Sequence, residues 1–158
     1  MWQQFTSSFF NKVDAKGRVS VPALFRKALE LRGADGRLVL VPGFRDKHCV
    51  EGYAPDAYER LARSVRRMHP SDPKRKKLEY RLMGRAQPLD VDENGRIVLP
   101  ADMRARYDLG SEAVFVGLGD SFQIWSRGGY ETHVAPIMED DEDDDDAFAA
   151  LPWDEDEA

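Results

Sequence analysis

The sequence predicts an α+β, β-rich protein in which one small module occurs twice in tandem, with helices connecting and following the modules. Three observations carry that expectation. Fourteen residues recur without a gap at a separation of 78 positions: Val13-Asp14-Ala15-Lys16-Gly17-Arg18-Val19-Ser20-Val21-Pro22-Ala23-Leu24-Phe25-Arg26 matches Val91-Asp92-Glu93-Asn94-Gly95-Arg96-Ile97-Val98-Leu99-Pro100-Ala101-Asp102-Met103-Arg104. Both copies sit in the same order of short apolar runs, which reads β-β-α-β-β. The likeness then resumes further on, where Tyr53-Ala54-Pro55-Asp56-Ala57-Tyr58-Glu59 parallels Trp125-Ser126-Arg127-Gly128-Gly129-Tyr130-Glu131.

In the first copy, Phe9 to Val13 leads into a turn at Asp14-Ala15-Lys16-Gly17. Asp at the first turn position accepts backbone N–H bonds, and Gly at the fourth tolerates positive φ. The result is a tight strand–turn–strand connection. Arg18-Val19-Ser20-Val21 alternates polar and apolar as a half-buried strand does. Pro22 opens a helix, where its missing N–H costs nothing. Leu24, Phe25, Ala28 and Leu29 fall on one side of that helix. Leu38-Val39-Leu40-Val41 is a strand, Pro42-Gly43 a turn, and Cys49-Val50-Glu51-Gly52-Tyr53 a weaker last strand.

The second copy repeats the order. Asp92-Glu93-Asn94-Gly95 is the turn, Arg96 to Leu99 a strand, and Ala101 to Tyr107 a helix. Ala113 to Val116 and Phe122 to Trp125 are strands. A trailing helix follows each module. The first runs from Ala57 to about Met68, with Tyr58, Leu61, Ala62 and Val65 on its apolar face, and a second helix runs from Lys74 to about Met83. The trailing helix of the second module is short, near Tyr130 to Met138. The expected domains are module one, 5–56; a helical connector, 57–83; module two, 84–128; a short trailing helix, 129–138; and a disordered acidic tail, 139–158, whose like charges repel one another. A single module of this size buries too little surface to stand alone, so the copies share a core, or the chain oligomerises, or both.

The net charge of −6 hides an uneven distribution. Residues 139–158 contain 12 acidic residues and no basic one, which leaves residues 1–138 at +6. Residues 1–55 carry +4, 56–85 carry +6 and 86–138 carry −4. A basic first module and connector beside an acidic second module point to a polyanionic partner for the basic half. The single cysteine, Cys49, excludes an intramolecular disulfide framework. The N-terminus lacks the pattern of a signal peptide, and no apolar run approaches the ~20 residues of a membrane span. These features lead us to expect a cytoplasmic protein.

Catalytic chemistry finds little support. His48, His69 and His133 share no spacing, and His48-Cys49 supplies two of the four ligands a structural zinc needs. Phosphate-binding glycine loops and the nucleophile-elbow motif are missing from the sequence. No enzyme activity, metal or cofactor is expected, and no small-molecule ligand.

The repeated Asp-x-x-Gly-Arg is the informative motif. A purely structural account makes Asp cap the turn and Arg pair with it. That account leaves unexplained the first copy's surroundings, where Lys12, Lys16, Arg18, Arg26 and Lys27 crowd together. The positions matching Lys12, Lys16 and Lys27 are Asp90, Asn94 and Ala105. An arginine on a short strand-turn can enter the major groove and bridge guanine O6 and N7, while lysines hold phosphates.

The doubled pattern Val-Asp-x-Lys-Gly-Arg-Val-Ser-Val-Pro-x-x-x-Arg and Val-Asp-x-x-Gly-Arg-Ile-Val-Leu-Pro-x-x-x-Arg resembles the MraZ family, bacterial transcriptional regulators with two SpoVT-AbrB modules. The resemblance covers about residues 5–138. It implies tandem AbrB-type swapped-hairpin β-barrel modules that form a pseudo-dimer within one chain. It implies ring-shaped homo-oligomers, associated with the nucleoid, that bind short direct repeats in promoter double-stranded DNA. The implied role is a repressor of the division and cell-wall gene cluster, its own gene included. The family's Asp-x-x-x-Arg motif falls on Asp14 and Arg18, and on Asp92 and Arg96.

The DNA-binding residues expected are therefore Lys12, Lys16, Arg18 and Arg26. Asp14, Gly17, Asp92, Gly95 and Arg96 are assigned mainly to building the turns. The alternative is an antitoxin-like interaction protein whose acidic tail wraps a toxin partner. Two modules in one chain weigh against it.

Overall fold

The structure, a computed structural model, describes residues 2–140 and 144–153. Eight strands are described: β1 (Ser8–Lys12), β2 (Arg18–Ser20), β3 (Arg37–Pro42), β4 (Val50–Tyr53), β5 (Gln87–Asp90), β6 (Arg96–Val98), β7 (Glu112–Gly117) and β8 (Ser121–Trp125). Helix α1 (Ala23–Leu31) follows β2, and α4 (Ala101–Arg106) follows β6. The connector is α2 (Pro55–Arg66), α3 (Pro73–Leu78) and a π-helical segment, Glu79–Met83. After β8 come α5 (Arg127–His133), α6 (Ala135–Glu139) and α7 (Asp144–Ala149). The fold is α+β, as the sequence predicts.

The strands do not sort by module. Six form an antiparallel sheet in the order β1-β7-β8-β4-β3-β5, and β2 pairs with β6 in a separate ribbon. The first strand of each copy leaves its own module and joins the third strand of the other: Phe10 lies opposite Val114, and Pro88 opposite Val39. The fourth strands meet in the middle of the sheet, with Glu51 opposite Gln123. The copies are thus interleaved about an approximate two-fold axis.

This corrects the local picture around the turn. The turn closes, with Gly17 N–H donating to the Asp14 carbonyl at 2.9 Å and Asp14 N–H to that of Arg18 at 3.0 Å. The strands on either side, however, pair across the axis rather than with each other. Beyond the turn the two strands diverge, held together at one point by Asn11 Nδ2 donating to the Ser20 carbonyl at 2.7 Å. The cause is burial. One short hairpin leaves its apolar face wet, whereas exchange places both copies around one core.

Period-2 alternation then sorts the sheet's side chains. Leu38, Leu40, Ala113 and Phe115 point into the shared core, with Val19, Ile97 and Leu99 from the ribbon segments and Phe25 and Met103 from α1 and α4. Phe25 meets Phe5, Phe115 and Phe122 at ring separations of 5.2 to 6.1 Å, so the centre of this core is an aromatic cluster drawn from both copies. On the opposite face, Val39 and Val41 meet Ala57 and Val65 of α2 and Leu82 of the π-helical segment. Val114 and Val116 meet Tyr130 and Val134 at the α5 end. On α1, Phe25, Ala28 and Leu29 are buried as the pattern predicts, but Leu24 lies on the solvent side. On α2, Ala62 and Val65 are buried while Tyr58 and Leu61 are half-buried.

Strand β4 is the other departure. Its sequence reads as weak because it contains Glu51 and Gly52, yet all four of its residues are buried. Gly52 is required there, since a Cβ would stand 2.2 Å from the Phe122 ring. Glu51 accepts from Phe44 N–H at 3.3 Å and Arg45 Nε at 3.4 Å. Burial pushes its carboxyl up from the usual range despite those contacts. In the tail, where disorder is expected, α7 is helical and residues 144–153 are exposed. Residues 141–143 and 154–158 lie outside the described part of that expectation. Among the described residues, no helix is long and apolar enough to cross a membrane.

Candidate nucleic-acid interface

The two Asp-x-x-Gly-Arg turns come together at the ends of the β2–β6 ribbon. Each Asp side chain organises its turn. Asp14 Oδ1 accepts from Lys16 N–H and Arg18 N–H, both at 2.9 Å, and Asp92 Oδ1 accepts from Asn94 N–H and Arg96 N–H, both at 2.9 Å. The glycines take positive φ, +83° at Gly17 and +77° at Gly95. Each turn is also locked to the opposite copy: Val21 N–H donates to the Gly95 carbonyl, and Leu99 N–H to that of Gly17.

Alternation along the ribbon decides which side chains face outward. Val19 and Ile97 are 1% exposed and point into the core. Their neighbours Arg18, Ser20, Arg96 and Val98 therefore line the opposite face, with Arg18 beside Val98 and Ser20 beside Arg96 in the register. Two arginines stand diagonally on an outward surface, one from each copy.

The copies differ in how firmly that arginine is held. Arg18 Nε donates to Asp14 Oδ2 at 2.6 Å, a short charge-assisted bond. Arg96 Nε is 4.0 Å from Asp92 Oδ2 and, among the described residues, has no hydrogen-bond partner although it is buried. The Asp14 carboxyl is held below its ordinary pKa, chiefly by the Arg18 backbone N–H, with the Arg18 guanidinium and Lys16 N–H adding to it. The Arg96 backbone N–H does the same for Asp92. Both acids are ionised at neutral pH, and the first turn couples its charge tightly to the arginine it presents.

Of the expected DNA-binding residues, Lys16 and Arg18 share the first turn. Lys12 ends β1, exposed, opposite Glu112. Its counterpart Asp90 lies opposite Arg37 and pairs with it at 3.4 Å. The Lys12/Asp90 contrast therefore includes a reversed cross-strand charge pair. Arg26 is exposed, and its guanidinium packs against Gly95, in the second turn, while Nε donates to the Val21 carbonyl at 3.1 Å. Arg104 mirrors it against Gly17, with Nε donating to the Leu99 carbonyl at 3.1 Å.

Sequence reasoning missed this crosswise clasp. Arg26 and Arg104 are recognisable as equivalent residues of the repeat, but nothing in one copy shows that its arginine reaches the other copy's glycine. It also missed Val98, which is 54% exposed beside Arg18, an apolar neighbour suited to a thymine methyl. Among the described residues, no group of three or more potential metal ligands comes together.

Comparison with known proteins agrees with this arrangement of two copies. The sequence model of a family described as "MraZ protein, putative antitoxin-like" matches residues 5–79 and again 82–151, so the match runs past residue 138 into the acidic tail. A protein of Ruegeria sp. (strain TM1040) named "Transcriptional regulator MraZ" is 39% identical over 137 residues, covering 83% of this chain and 82% of that protein. A protein of the same name from Rhodospirillum rubrum is 41% identical over 129 residues, covering 80% and 82%. Another, from Ruegeria pomeroyi, is 35% identical over 146 residues, covering 89% and 87%. The doubled turn motif, the double match and these identities agree: the chain belongs to the MraZ family.

Proposed function

We propose that this protein is a non-enzymatic, sequence-specific DNA-binding regulator of transcription, and that the outward face of the β2–β6 ribbon reads the DNA. The observation that carries the proposal is the pair of turns on one two-stranded ribbon, with Arg18 fixed by Asp14 and flanked by Lys16. A two-stranded ribbon fits the major groove. Arg18 is placed to bridge a guanine, and a guanidinium pre-oriented by a carboxylate loses less freedom on binding than a free one. Lys12, Lys16 and Arg26 hold phosphates around it. Asp14, Gly17, Asp92 and Gly95 shape the turns, and Arg96 has the lesser role because its own turn grips it less.

The exchange of β1 and β5 between copies supports an AbrB-type swapped-hairpin pseudo-dimer. One such unit offers few base contacts. Family membership leads us to infer a ring-shaped homo-oligomer on short direct repeats, where linked sites supply affinity by effective concentration. The inferred targets are the division and cell-wall gene cluster and the protein's own gene, which it represses from the nucleoid. The toxin-partner alternative is the weaker reading, because the curated relatives are named regulators of transcription.

The test is competition between the DNA upstream of the protein's own gene and a scrambled duplex, at one salt concentration. Wild type is expected to prefer the upstream DNA. Arg18→Ala is expected to lose about 1–3 kcal/mol of that preference, roughly 5- to 150-fold. Equal preference in the variant would refute the assignment.

A further inference from the structure

The ends of α1 and α4 are equivalent places in the two copies, but their charges are balanced differently. At the end of α1, the Arg32 side chain is 4% exposed and fully matched. Its Nη1 lies 3.2 Å from Asp56 Oδ2 and its Nη2 2.9 Å from Asp120 Oδ1, while Nε donates to the Gln3 carbonyl at 2.6 Å. One cation there meets two carboxylates, and Asp120 comes from the turn between β7 and β8. The end of α4 departs from the repeat. Ala28 and Leu29 of α1 are matched by Arg106 and Tyr107 in the second copy. The loop between β3 and β4, counterpart of the turn that bears Asp120, carries Lys47, and the end of the connector adds Arg81 and Arg85.

These side chains meet around Tyr107, which is buried. Arg85, Arg106 and Tyr107 line a recess of about 350 Å³, and they also line a smaller one that adds Lys47 and Arg81. The Arg106 guanidinium lies over the Tyr107 ring, 5.5 Å from its centre. Burial pushes the Tyr107 hydroxyl's pKa up, and Arg106, Arg85 and Arg81 pull against that rise, so their charges are felt at one point. Among the described residues, the two linings contain one carboxylate, Asp102, and none of the four cations forms an ion pair. Four positive charges against one negative leave three unmatched. Clustered like charges repel, so this arrangement gains stability from a bound anion. One phosphate carries about −1.5 to −2 at neutral pH, so matching the cluster takes more than one phosphoryl group. Guanidinium forks suit such a ligand, because they bind phosphate oxygens in pairs.

We propose that the recess at the end of α4 binds a di- or triphosphate group, free or carried by a nucleotide, through Lys47, Arg81, Arg85 and Arg106. The ligand joins the β3–β4 loop, the connector and α4, and so ties the connector to the helix that follows the second turn. The inference does not depend on the DNA-binding reading, and either can fail without the other.

The test is the rate at which acetic anhydride modifies Lys47 in the full-length protein, read by mass spectrometry with and without inorganic pyrophosphate. Sodium chloride at equal ionic strength is the reference, and Lys12 and Lys16 are internal controls. Pyrophosphate at about ten times its dissociation constant should slow Lys47 about tenfold and raise the melting temperature by about 3–6 °C. Lys12 and Lys16 should keep their rates. Arg85→Gln removes an exposed charge that has no ion pair among the described residues, so the variant should fold and melt no lower than wild type without ligand. It should lose most of the protection and most of the melting shift. Arg81→Gln, from the other wall, should act alike, so a folding defect in one variant leaves the other as the test. Adenosine triphosphate in place of pyrophosphate separates the two sources: protection at lower concentration assigns a nucleotide, and protection at equal or higher concentration assigns the free anion. Equal slowing by sodium chloride, equal slowing of Lys12 and Lys16, undiminished protection in the Gln variants, or protection by duplex DNA but by neither small anion would each overturn the proposal.

Discussion

Replacing Gly95 with alanine tests the crosswise clasp that joins the two copies. Gly95 sits at φ +77°, and placing alanine in the left-handed region costs about 1–2 kcal/mol. The new Cβ would stand 2.9 Å from Arg26 Cζ and Nη1. Arg26 then has to withdraw and give up its 3.1 Å bond to the Val21 carbonyl, worth about 1 kcal/mol at this exposed position. The total is about 2–3 kcal/mol, and at roughly 2–4 °C per kcal/mol for a chain of this length the melting temperature should drop by about 4–12 °C. Arg26→Ala alone should cost about 1 kcal/mol. In the double variant the collision has no partner, so the cost should stay near that of Gly95→Ala, which leaves a coupling of about 1 kcal/mol. Urea unfolding of wild type, both single variants and the double variant measures it. Gly17 with Arg104 should couple equally, and Gly95 with Arg104, from the same copy, should not. Additive costs for Gly95 and Arg26, to within about 0.3–0.5 kcal/mol, would refute the clasp.

Two further outcomes follow from the sheet. Gly52→Ala drives a methyl into the buried Phe122 ring at the β4–β8 seam, so it should destabilise by about 1–3 kcal/mol or more, seen as an earlier urea midpoint, whereas a strand swap without that contact would tolerate it. Glu51 has a folded pKa raised above 4.5, so its contribution to stability is greatest below the unfolded pKa and is lost as pH rises through the folded one. Glu51→Gln, the residue the second copy has at the paired position 123, should therefore gain on wild type as pH rises from 4 to 8. The gain should appear as a melting-temperature difference that grows with pH, and a pH-independent difference would contradict it.

Much of the fold is legible because the repeat makes the sequence its own comparison. The β-β-α-β-β order, the prolines that open α1 and α4, and the Asp-capped turns all follow from local chemistry present twice. The exchange of β1 and β5 is not legible. Phe9 and Phe10 read as strand residues whichever partner they have, and the partner is settled only by the total surface buried. Strand β4 reads as weak because Glu51 and Gly52 lower its propensity; Arg45, in the loop just before it, partners Glu51, while Phe122, which requires Gly52, lies 70 positions further on. Within the site, Lys16 and Arg18 are two positions apart, and one turn holds both through Asp14. Arg26 is identifiable as a repeated residue, but its neighbour Gly95 is 69 positions away.

The central claim is that one ribbon carries both turns while the first copy supplies most of the DNA contact. The most direct measurement is the affinity for the upstream DNA over a salt series, for wild type, Lys16→Ala, Arg18→Ala and Arg96→Ala. Each phosphate contact contributes about −0.9 to the slope of log K against log salt. The account predicts that Lys16→Ala flattens the slope by about 1, that Arg18→Ala weakens specific binding most, and that Arg96→Ala changes both least. An Arg96→Ala loss equal to or greater than that of Arg18→Ala, or an unchanged slope in Lys16→Ala, would contradict it.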